Sequence, residues 1–178
     1  MKPVTTEEII KAQELCPSDY VVVKNFYEPD EWELSRLKLF LADCLDVLDL
    51  GCGNGKLITT LSKLTNKPTY LGVDTKFLWD EKPKENSKLK FEFGSPDTIL
   101  MSGHRFDAVI CCWPPADCNW LEKVVLLSRK KIVWVEGEDY ATGGAHQTFS
   151  LAIKGFQKTD AWKSKAKLNS RVELWKRL

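Results

Sequence analysis

The sequence predicts an α/β fold in which a doubly wound, mostly parallel sheet of seven strands ends in an antiparallel strand pair. Three observations predict this fold class. Short apolar runs alternate with amphipathic segments of helical period through most of the chain. One apolar run stops at three closely spaced glycines, after which a helix begins. The last two strand-like runs are separated only by a polar, lysine-rich turn.

The elements follow from hydrophobic period and from turn residues. Residues 1–45 are predicted to form a helical cap, with helices near 5–15 and 29–41 and a short apolar run at 20–23. Residues 46–178 form the core, and the 178 residues fit one domain. Strands are predicted at 47–50, 68–74, 89–93, 106–113, 131–135, 157–162 and 171–176. Helices are predicted at 57–64, 120–127 and 142–156, with a loop at 76–88.

The charge balance argues against a protein whose whole surface binds nucleic acid. Lys and Arg number 26 and Asp and Glu number 25, although a local basic patch stays open. No apolar run approaches membrane-spanning length and no signal-peptide core is present, so we expect a cytoplasmic protein without a membrane partner. The six cysteines form no Cys-x-x-Cys pair and have only two histidines beside them, which predicts reduced, buried thiols and no metal site.

The glycine turn at residues 49–55, Asp-Leu-Gly-Cys-Gly-Asn-Gly, is the most informative stretch. In an open α/β sheet such a turn lies at the carboxyl edge of a strand, where ligands bind. A phosphate-binding P-loop requires G-x-x-x-x-G-K-[ST], but here the glycine interval is one residue short and Leu57 replaces the hydroxyl residue. A dinucleotide site requires G-x-G-x-x-G, whereas this turn reads G-x-G-x-G.

Two acids narrow the choice of ligand. Asp49 lies two residues before the first glycine of the turn, where a carboxylate would oppose a pyrophosphate but would suit a ligand's ammonium group. Asp74 ends the second predicted strand, 19 residues beyond Gly55. An acid at that place binds ribose hydroxyls in nucleotide-binding βαβ units. The residues therefore predict a nucleoside that carries an amino-acid group.

The stretch from Asp49 to Gly55 resembles motif I of the class I S-adenosylmethionine-dependent methyltransferases, and Asp74 matches the ribose-binding acid of that superfamily. The predicted strand order from about residue 45 is similar to the same fold. The resemblance implies S-adenosylmethionine as cofactor and S-adenosylhomocysteine as product. The implied cofactor-binding residues are Asp49, Gly51, Cys52, Gly53, Asn54, Gly55, Asp74, Thr75, Ser95, Pro96, Asp97 and Cys112.

The resemblance implies different binding residues for the methionine, ribose and adenine parts of the cofactor. The acid and glycines of the turn would shape the methionine pocket, and Asp74 with Thr75 beside it would bind the ribose. The residues that follow the third strand, at 95–97, would border the adenine. Phe77 or Trp79 could supply one apolar wall for that base, with ordinary core or loop packing as the alternative.

The end of the fourth predicted strand, where such enzymes place their chemistry, reads Cys-Trp-Pro-Pro-Ala at residues 112–116. It resembles the [DN]-P-P-[YFW] motif of amino-group methyltransferases. Trp113 stands in place of the polar residue and Ala116 in place of the aromatic one, so N6-adenine chemistry loses its main side-chain acceptor. Trp113 could stack on a planar substrate or pack at the strand end, and both interpretations stay open.

Acids and lysines elsewhere in the sequence give weaker indications of catalytic residues. The Lys-Asp-Lys-Glu tetrad of ribose 2′-O methyltransferases is poorly matched, because Lys24, Lys131 and Glu173 are conceivable members but no Asp follows strand four. Three acids follow strand five, where a carboxylate could orient a nucleophile or act as general base, with a solvated acidic loop as the alternative. They are Glu136, Glu138 and Asp139. The candidate catalytic residues are Trp113, Pro114 and Glu136.

The function that the resemblance implies is S-adenosylmethionine-dependent methyl transfer. The acceptor class (nucleic acid, protein or small molecule) stays open, and so does a nucleic-acid or protein partner. The alternative is a degenerate methyltransferase fold that acts as a binding or partner subunit and keeps the cofactor pocket without catalysis. A nicotinamide-dependent oxidoreductase is disfavoured by the glycine spacing and by Asp49. Methyl transfer from a sulfonium is an in-line displacement, so positioning could suffice without a base.

Overall fold

The computed structural model describes residues 27–75, 83–114, 119–137, 151–152, 154–164 and 170–178. The predicted helix at 5–15 and the apolar run at 20–23 lie outside these ranges. Of the predicted helix at 142–156, only Leu151 and Ala152 are described within a helix. The division into a cap at 1–45 and a core at 46–178 stays a prediction.

The described elements alternate between helices and strands in the order that the hydrophobic period predicts. Four helices are described: α1 (Glu31–Leu41), α2 (Lys56–Leu64), α3 (Pro96–Met101) and α4 (Trp120–Leu127). The seven strands are β1 (Asp46–Leu50), β2 (Thr69–Asp74), β3 (Leu89–Phe93), β4 (Phe106–Cys112), β5 (Ser128–Glu136), β6 (Phe156–Lys163) and β7 (Arg171–Arg177). Phe156, which was predicted to end a helix, instead begins β6.

The sheet has the strand order β3-β2-β1-β4-β5-β7-β6. The first five strands in this order pair in parallel, and β7 then pairs antiparallel with both β5 and β6. The sheet is therefore mixed, and the predicted doubly wound arrangement describes its parallel strands but not the whole. The strand order reverses between β1 and β4, and in open α/β sheets ligands bind outside the carboxyl ends of the strands at such a switch point.

Each face of the sheet is covered by its own apolar layer. Side chains alternate between the faces along each strand, so Val47 of β1 lies on one side and Leu48 on the other. Helices α1 and α2 pack on the face of Val47, and α3 and α4 pack on the face of Leu48. Burial on both faces explains why the parallel strands read as nearly continuous apolar runs.

Local capping sets where the helices begin. Asp30 accepts a hydrogen bond from the Glu33 backbone N–H at 2.9 Å, and the Glu33 carboxylate accepts one from the Asp30 N–H at 3.0 Å. This capping box starts α1. Ser95 and Thr98 form the same reciprocal pair at the start of α3, with Pro96 at the first helical position. The sequence prediction missed α3, although its Ser-Pro-Asp-Thr start carries that signature.

Among the described residues, no helix is long and apolar enough to span a membrane.

Gly72, in the middle of β2, gives a test of packing between the sheet and α2. A methyl group at this position would lie 2.6 Å from Phe91 Cδ1 and 2.8 Å from Ile58 Cδ1, and both of these side chains are buried. We expect Gly72→Ala to lower the free energy of unfolding by about 1–3 kcal/mol through overpacking. The melting temperature, followed by circular dichroism, should fall by about 2–4 °C for each kcal/mol.

Two control variants separate the destabilisation caused by side-chain crowding at Gly72 from the destabilisation caused by backbone strain. Gly155→Ala adds a methyl group with nothing within 4 Å, at a φ of +81°, and should cost only the left-handed backbone strain of about 1–2 kcal/mol. In a Phe91→Leu background, Gly72→Ala should cost less than it does in the native chain. An equal cost in both backgrounds would contradict the packing explanation.

Candidate functional site

The glycine turn between β1 and α2 is held by backbone hydrogen bonds to the neighbouring strand. The N–H groups of Gly51 and Cys52 both donate to the carbonyl oxygen of Val73, at 2.8 and 3.2 Å. Gly51, Gly53 and Gly55 have φ values of +75°, +54° and +68°. Because side chains with a Cβ rarely adopt this left-handed region, the turn requires glycine at all three positions.

Two aromatic side chains fill the space that side chains on these glycines would need. A Cβ at Gly51 would lie 3.0 Å from the Trp120 ring, and one at Gly55 would lie 2.5 Å from the Phe91 ring. Neither aromatic was among the residues predicted to bind the cofactor. The alternating pattern of β3 could have placed Phe91 in the core, but nothing in the sequence signals that Trp120 packs against the turn.

Asp49 is a buried carboxyl group that lacks a complete set of hydrogen bonds. Its exposed fraction is 1%. Among the buried side-chain nitrogen and oxygen atoms in the part of the chain that the structure describes, Asp49 Oδ1 is the one without a hydrogen-bond partner. Burial, and after it the charge of Asp74, raises the pKa of Asp49 to about 8. A buried acceptor without a donor costs about 1–3 kcal/mol, so this group points to a ligand that supplies one.

Asp74 lies at the end of β2 beside the turn. Its Oδ2 accepts a hydrogen bond from the Gly53 N–H at 2.7 Å, which orients the carboxylate against the turn. Thr75 follows and is exposed. Asn54, predicted to contact the cofactor, accepts a hydrogen bond at Oδ1 from the Lys56 N–H at 3.0 Å and so caps the start of α2.

The residues after β3 lie next to Asp74 along the same edge. The Gly94 N–H donates to the Asp74 carbonyl oxygen at 3.1 Å, which places the start of α3 beside the end of β2. Ser95 caps α3 and Pro96 is buried at its first position. The Asp97 carboxylate accepts a hydrogen bond from Lys123 Nζ at 2.6 Å and thereby joins α3 to α4. Their predicted place at the adenine stays a prediction.

Trp113 follows β4 in a conformation that is unusual for its type. Its φ is +52°, the one positive value at a residue other than glycine among those described. Its backbone N–H donates to the Val135 carbonyl at 2.8 Å and its indole Nε1 donates to Ser170 Oγ at 3.0 Å. Such a backbone costs about 1–3 kcal/mol and persists where neighbouring contacts determine it. Cys112 before it is half-buried and Pro114 after it is buried.

Glu136 ends β5 and is buried. It accepts a hydrogen bond from Trp134 Nε1 at 2.9 Å. Burial raises its pKa, and the indole hydrogen bond partly opposes that rise. Its neighbour Glu173 on β7 is fully buried and accepts hydrogen bonds from Lys158 Nζ at 2.6 Å and Trp175 Nε1 at 3.0 Å.

Lys131 does not join Glu173. It lies at the opposite end of β5, where its ammonium contacts the Asp43 carboxylate and donates to the Phe40 carbonyl. In the register of β5 and β7, Lys131 pairs with Lys176 whereas Glu173 pairs with Trp134. Three positions separate Lys131 from Trp134, so Lys131 and Glu173 lie on opposite faces of the sheet. These two residues cannot form part of one tetrad.

Several other candidates fall outside the described residues: Lys24, Phe77, Trp79, Ala116, Glu138, Asp139 and the cysteines at 16 and 118. Cys44, Cys52, Cys111 and Cys112 are free thiols. In the described ranges no cluster of His, Cys, Asp and Glu could hold a metal ion.

Comparison with solved structures finds the same fold in S-adenosylmethionine-dependent enzymes. Magnesium protoporphyrin IX methyltransferase from Synechocystis, crystallised with bound S-adenosylmethionine, aligns over 83% of this chain and 79% of its own, with a TM-score of 0.63 and 16% identity. The N-methyltransferase NodS from Bradyrhizobium japonicum aligns over 82% of this chain and 93% of its own, with a TM-score of 0.64 and 13% identity. A putative RNA methyltransferase from Pyrococcus horikoshii aligns over 98% of this chain and 100% of its own, with a TM-score of 0.63 and 16% identity.

The fold is that of the class I methyltransferase superfamily. The sequence matches no protein-family model and no curated protein. The structural neighbours differ in the acceptors that their names state, and their identity to this chain is below 25%, so the likeness shows the fold alone.

This methyltransferase fold brings together the two acids, the glycine turn and the residues after β3. They lie at the carboxyl edge of β1, β2 and β3, where the strand order reverses next to β4. Trp113 and Pro114 lie at the same edge, after β4, and Glu136 ends β5 there. The site combines a glycine turn, a buried carboxyl group and a second carboxylate, which suits a ligand with a cation and hydroxyl groups.

Replacing the buried carboxyl group should stabilise the ligand-free protein at alkaline pH. The pKa of Asp49 in the folded protein, about 8, exceeds the ordinary value near 3.9. The folded state therefore keeps a proton that the unfolded chain releases between these values, and the free energy of unfolding falls as pH rises through that window. We expect the advantage of Asp49→Asn over the native chain to grow by about 1 kcal/mol per pH unit between pH 5 and 8.

Urea denaturation at pH 5 and at pH 8 measures this difference. Glu92→Gln, an equivalent change at an exposed position of β3, serves as the control and should show no such growth. If the difference between Asp49→Asn and the native chain were the same at both pH values, the assignment of a protonated, buried Asp49 would be wrong.

Proposed function

We propose that this protein is an S-adenosylmethionine-dependent methyltransferase. The observation that carries the proposal is the buried Asp49 carboxyl group, whose Oδ1 has no partner and which lies two residues before the first glycine of the turn. Such a group calls for a ligand cation, and S-adenosylmethionine carries an ammonium group. The shared fold and the bound S-adenosylmethionine in the Synechocystis neighbour support the same cofactor.

The residues present fit this cofactor in three ways. Asp49 offers an unpaired acceptor for the ammonium group. The turn offers backbone that a ligand can approach closely, because its three glycines, Gly51, Gly53 and Gly55, carry no side chains. Asp74 offers a carboxylate, held by the Gly53 N–H, for the ribose hydroxyls.

The chain itself would contribute position and shielding to the reaction. When bound, S-adenosylmethionine would supply a methyl group on a positively charged sulfur, and its transfer to an acceptor in line with the carbon–sulfur bond would leave the sulfur as a neutral thioether. The buried turn and the aromatic rings packed on it would exclude water from the cofactor side. Trp113 and Pro114, after β4, would form the acceptor side, and Glu136 would orient or deprotonate the acceptor.

A binding or partner subunit without catalysis is the second proposal. The observation that favours it is at Trp113, where amino-group methyltransferases carry Asn or Asp. Its indole N–H is already taken by Ser170 Oγ, so this side chain holds no polar group free for an amine acceptor. Such a subunit would bind the cofactor in the same way but transfer no methyl group.

Calorimetric titration tests the cofactor. We expect S-adenosylmethionine and S-adenosylhomocysteine to bind with dissociation constants in the micromolar range or below. Asp74→Ala should weaken both by at least about tenfold, because a hydrogen bond to a charged group contributes about 1.5–3 kcal/mol. Glu122→Ala, which removes a carboxylate paired with Lys154 on the exposed side of α4, should leave the affinity unchanged. Failure of both ligands to bind the native chain would refute the cofactor assignment.

Methyl transfer needs a separate experiment. The protein is incubated with radiolabelled S-adenosylmethionine and a lysate fractionated into RNA, protein and small molecules. Label in one fraction, dependent on Asp74, would support the enzyme and identify its acceptor class. Cofactor binding without label in any fraction would favour the partner-subunit proposal.

A further inference from the structure

Asp49 is surrounded by groups that cannot neutralise it. Its carboxyl group is 1% exposed, and the titratable groups that face it are acids and thiols. Asp74 of β2 raises its pKa, and the charge of Asp49 in turn raises the pKa of three thiols, after burial as the larger cause. These thiols are Cys52 in the turn and Cys111 and Cys112 on β4.

The helices on the same face bring no free cation to Asp49 within the described residues. Lys56, at the start of α2, is exposed and pairs with Glu28 at 3.3 Å. On α1, the buried Glu33 accepts hydrogen bonds from Tyr27 at 3.3 Å and from Trp162 at 2.7 Å. Arg36 of α1 pairs with Asp160, and the other lysines of these two helices, Lys38 and Lys63, are exposed, so neither helix brings a buried cation to this face within the described residues.

A carboxyl group in this setting keeps its proton until a cation arrives. Burial disfavours the ionised form, and a neighbouring negative charge disfavours it further. An opposite charge within about 4–6 Å reverses both effects. The ligand of the proposed function brings such a charge in its ammonium group.

We propose that cofactor binding is coupled to the release of one proton from Asp49, which makes this residue the group that selects ligands with an ammonium group. The inference rests on the proposed function. In the empty site Asp49 holds the proton on its carboxyl group. On binding, the ligand's ammonium keeps its own protons, the Asp49 O–H bond breaks, and that proton passes to solvent. Charge balances, because the carboxylate that forms pairs with the cation that enters.

The coupling fixes the direction of the pH dependence. Below pH 8 each ligand that binds must expel a proton, so binding weakens as the proton concentration rises. With a pKa of about 8, the dissociation constant should increase nearly tenfold between pH 7 and pH 6. An α-amino group titrates near pH 8, so the ligand stays charged over this range and contributes little of its own.

Calorimetry with S-adenosylhomocysteine at pH 6.0, 6.5 and 7.0 measures both quantities. Each titration is repeated in two buffers with different enthalpies of ionisation, because the difference in observed heat then counts the protons released. We expect close to one proton per ligand and the nearly tenfold change in dissociation constant. 5′-Methylthioadenosine, which has the nucleoside and thioether but no amino acid, should bind with no proton release and no pH dependence.

Asp49→Asn keeps the size of the side chain but cannot ionise. It should bind S-adenosylhomocysteine more weakly at pH 7 and release no proton. Proton release that persists in this variant would overturn the assignment to Asp49. Binding to the native chain that is independent of pH and releases no proton would overturn the coupling while leaving the proposed function standing. No binding at any pH would overturn both.

Discussion

The carbonyl oxygen of Val73 is the anchor on which the candidate site depends. It accepts two backbone N–H groups, from Gly51 and Cys52, and so ties the chain leaving β1 to the end of β2. That tie brings Asp74 beside the turn, where its carboxylate receives the Gly53 N–H. A turn this tight requires left-handed backbone, which explains the glycines, and the aromatic rings packed on it keep it from opening. The two acids thus come together as a consequence of backbone geometry.

Asp49 and Asp107 are both buried acids of the central sheet, at the carboxyl and amino ends of its parallel strands, but their hydrogen bonding differs. The missing partner of Asp49 Oδ1 is therefore not a general consequence of burial in this sheet. Asp107, at the amino end of β4, accepts hydrogen bonds from Lys130 Nζ and from the Leu45 N–H, each at 2.9 Å. Although burial opposes it, these contacts lower the pKa of Asp107. At the carboxyl edge Asp49 has no such partners and its pKa rises. The fold supplies partners to Asp107 but not to Asp49 Oδ1, which costs stability and leaves an acceptor for the ammonium group of the proposed ligand.

The sequence predicted most of the described elements and the positions of the two acids well, because both follow from local rules. Apolar period and glycine spacing place β1, α2 and β2, and Asp49 and Asp74 are read directly from strand ends. The contacts of Trp120 with Gly51 and of Trp113 with Ser170 join residues far apart in the chain, and a single sequence carries no signal for such pairs. Short α3 was missed for a different reason: six residues give too little period, and only its cap marks it.

The antiparallel pair does more than extend the sheet. Trp113 keeps its left-handed backbone because its N–H is bound by Val135 of β5 and its indole by Ser170, immediately before β7. The residue that follows β4, on the acceptor side of the proposed reaction, therefore takes its conformation from β5, the last of the parallel strands, and from the residue before the antiparallel strand β7. A strained backbone held from two sides keeps a large flat side chain in one place, which a loop held only by its own ends could not do. The conformation of Trp113 thus depends on β5 and on the residue before β7, whereas the glycine turn and the two acids beside it depend on β1 and β2.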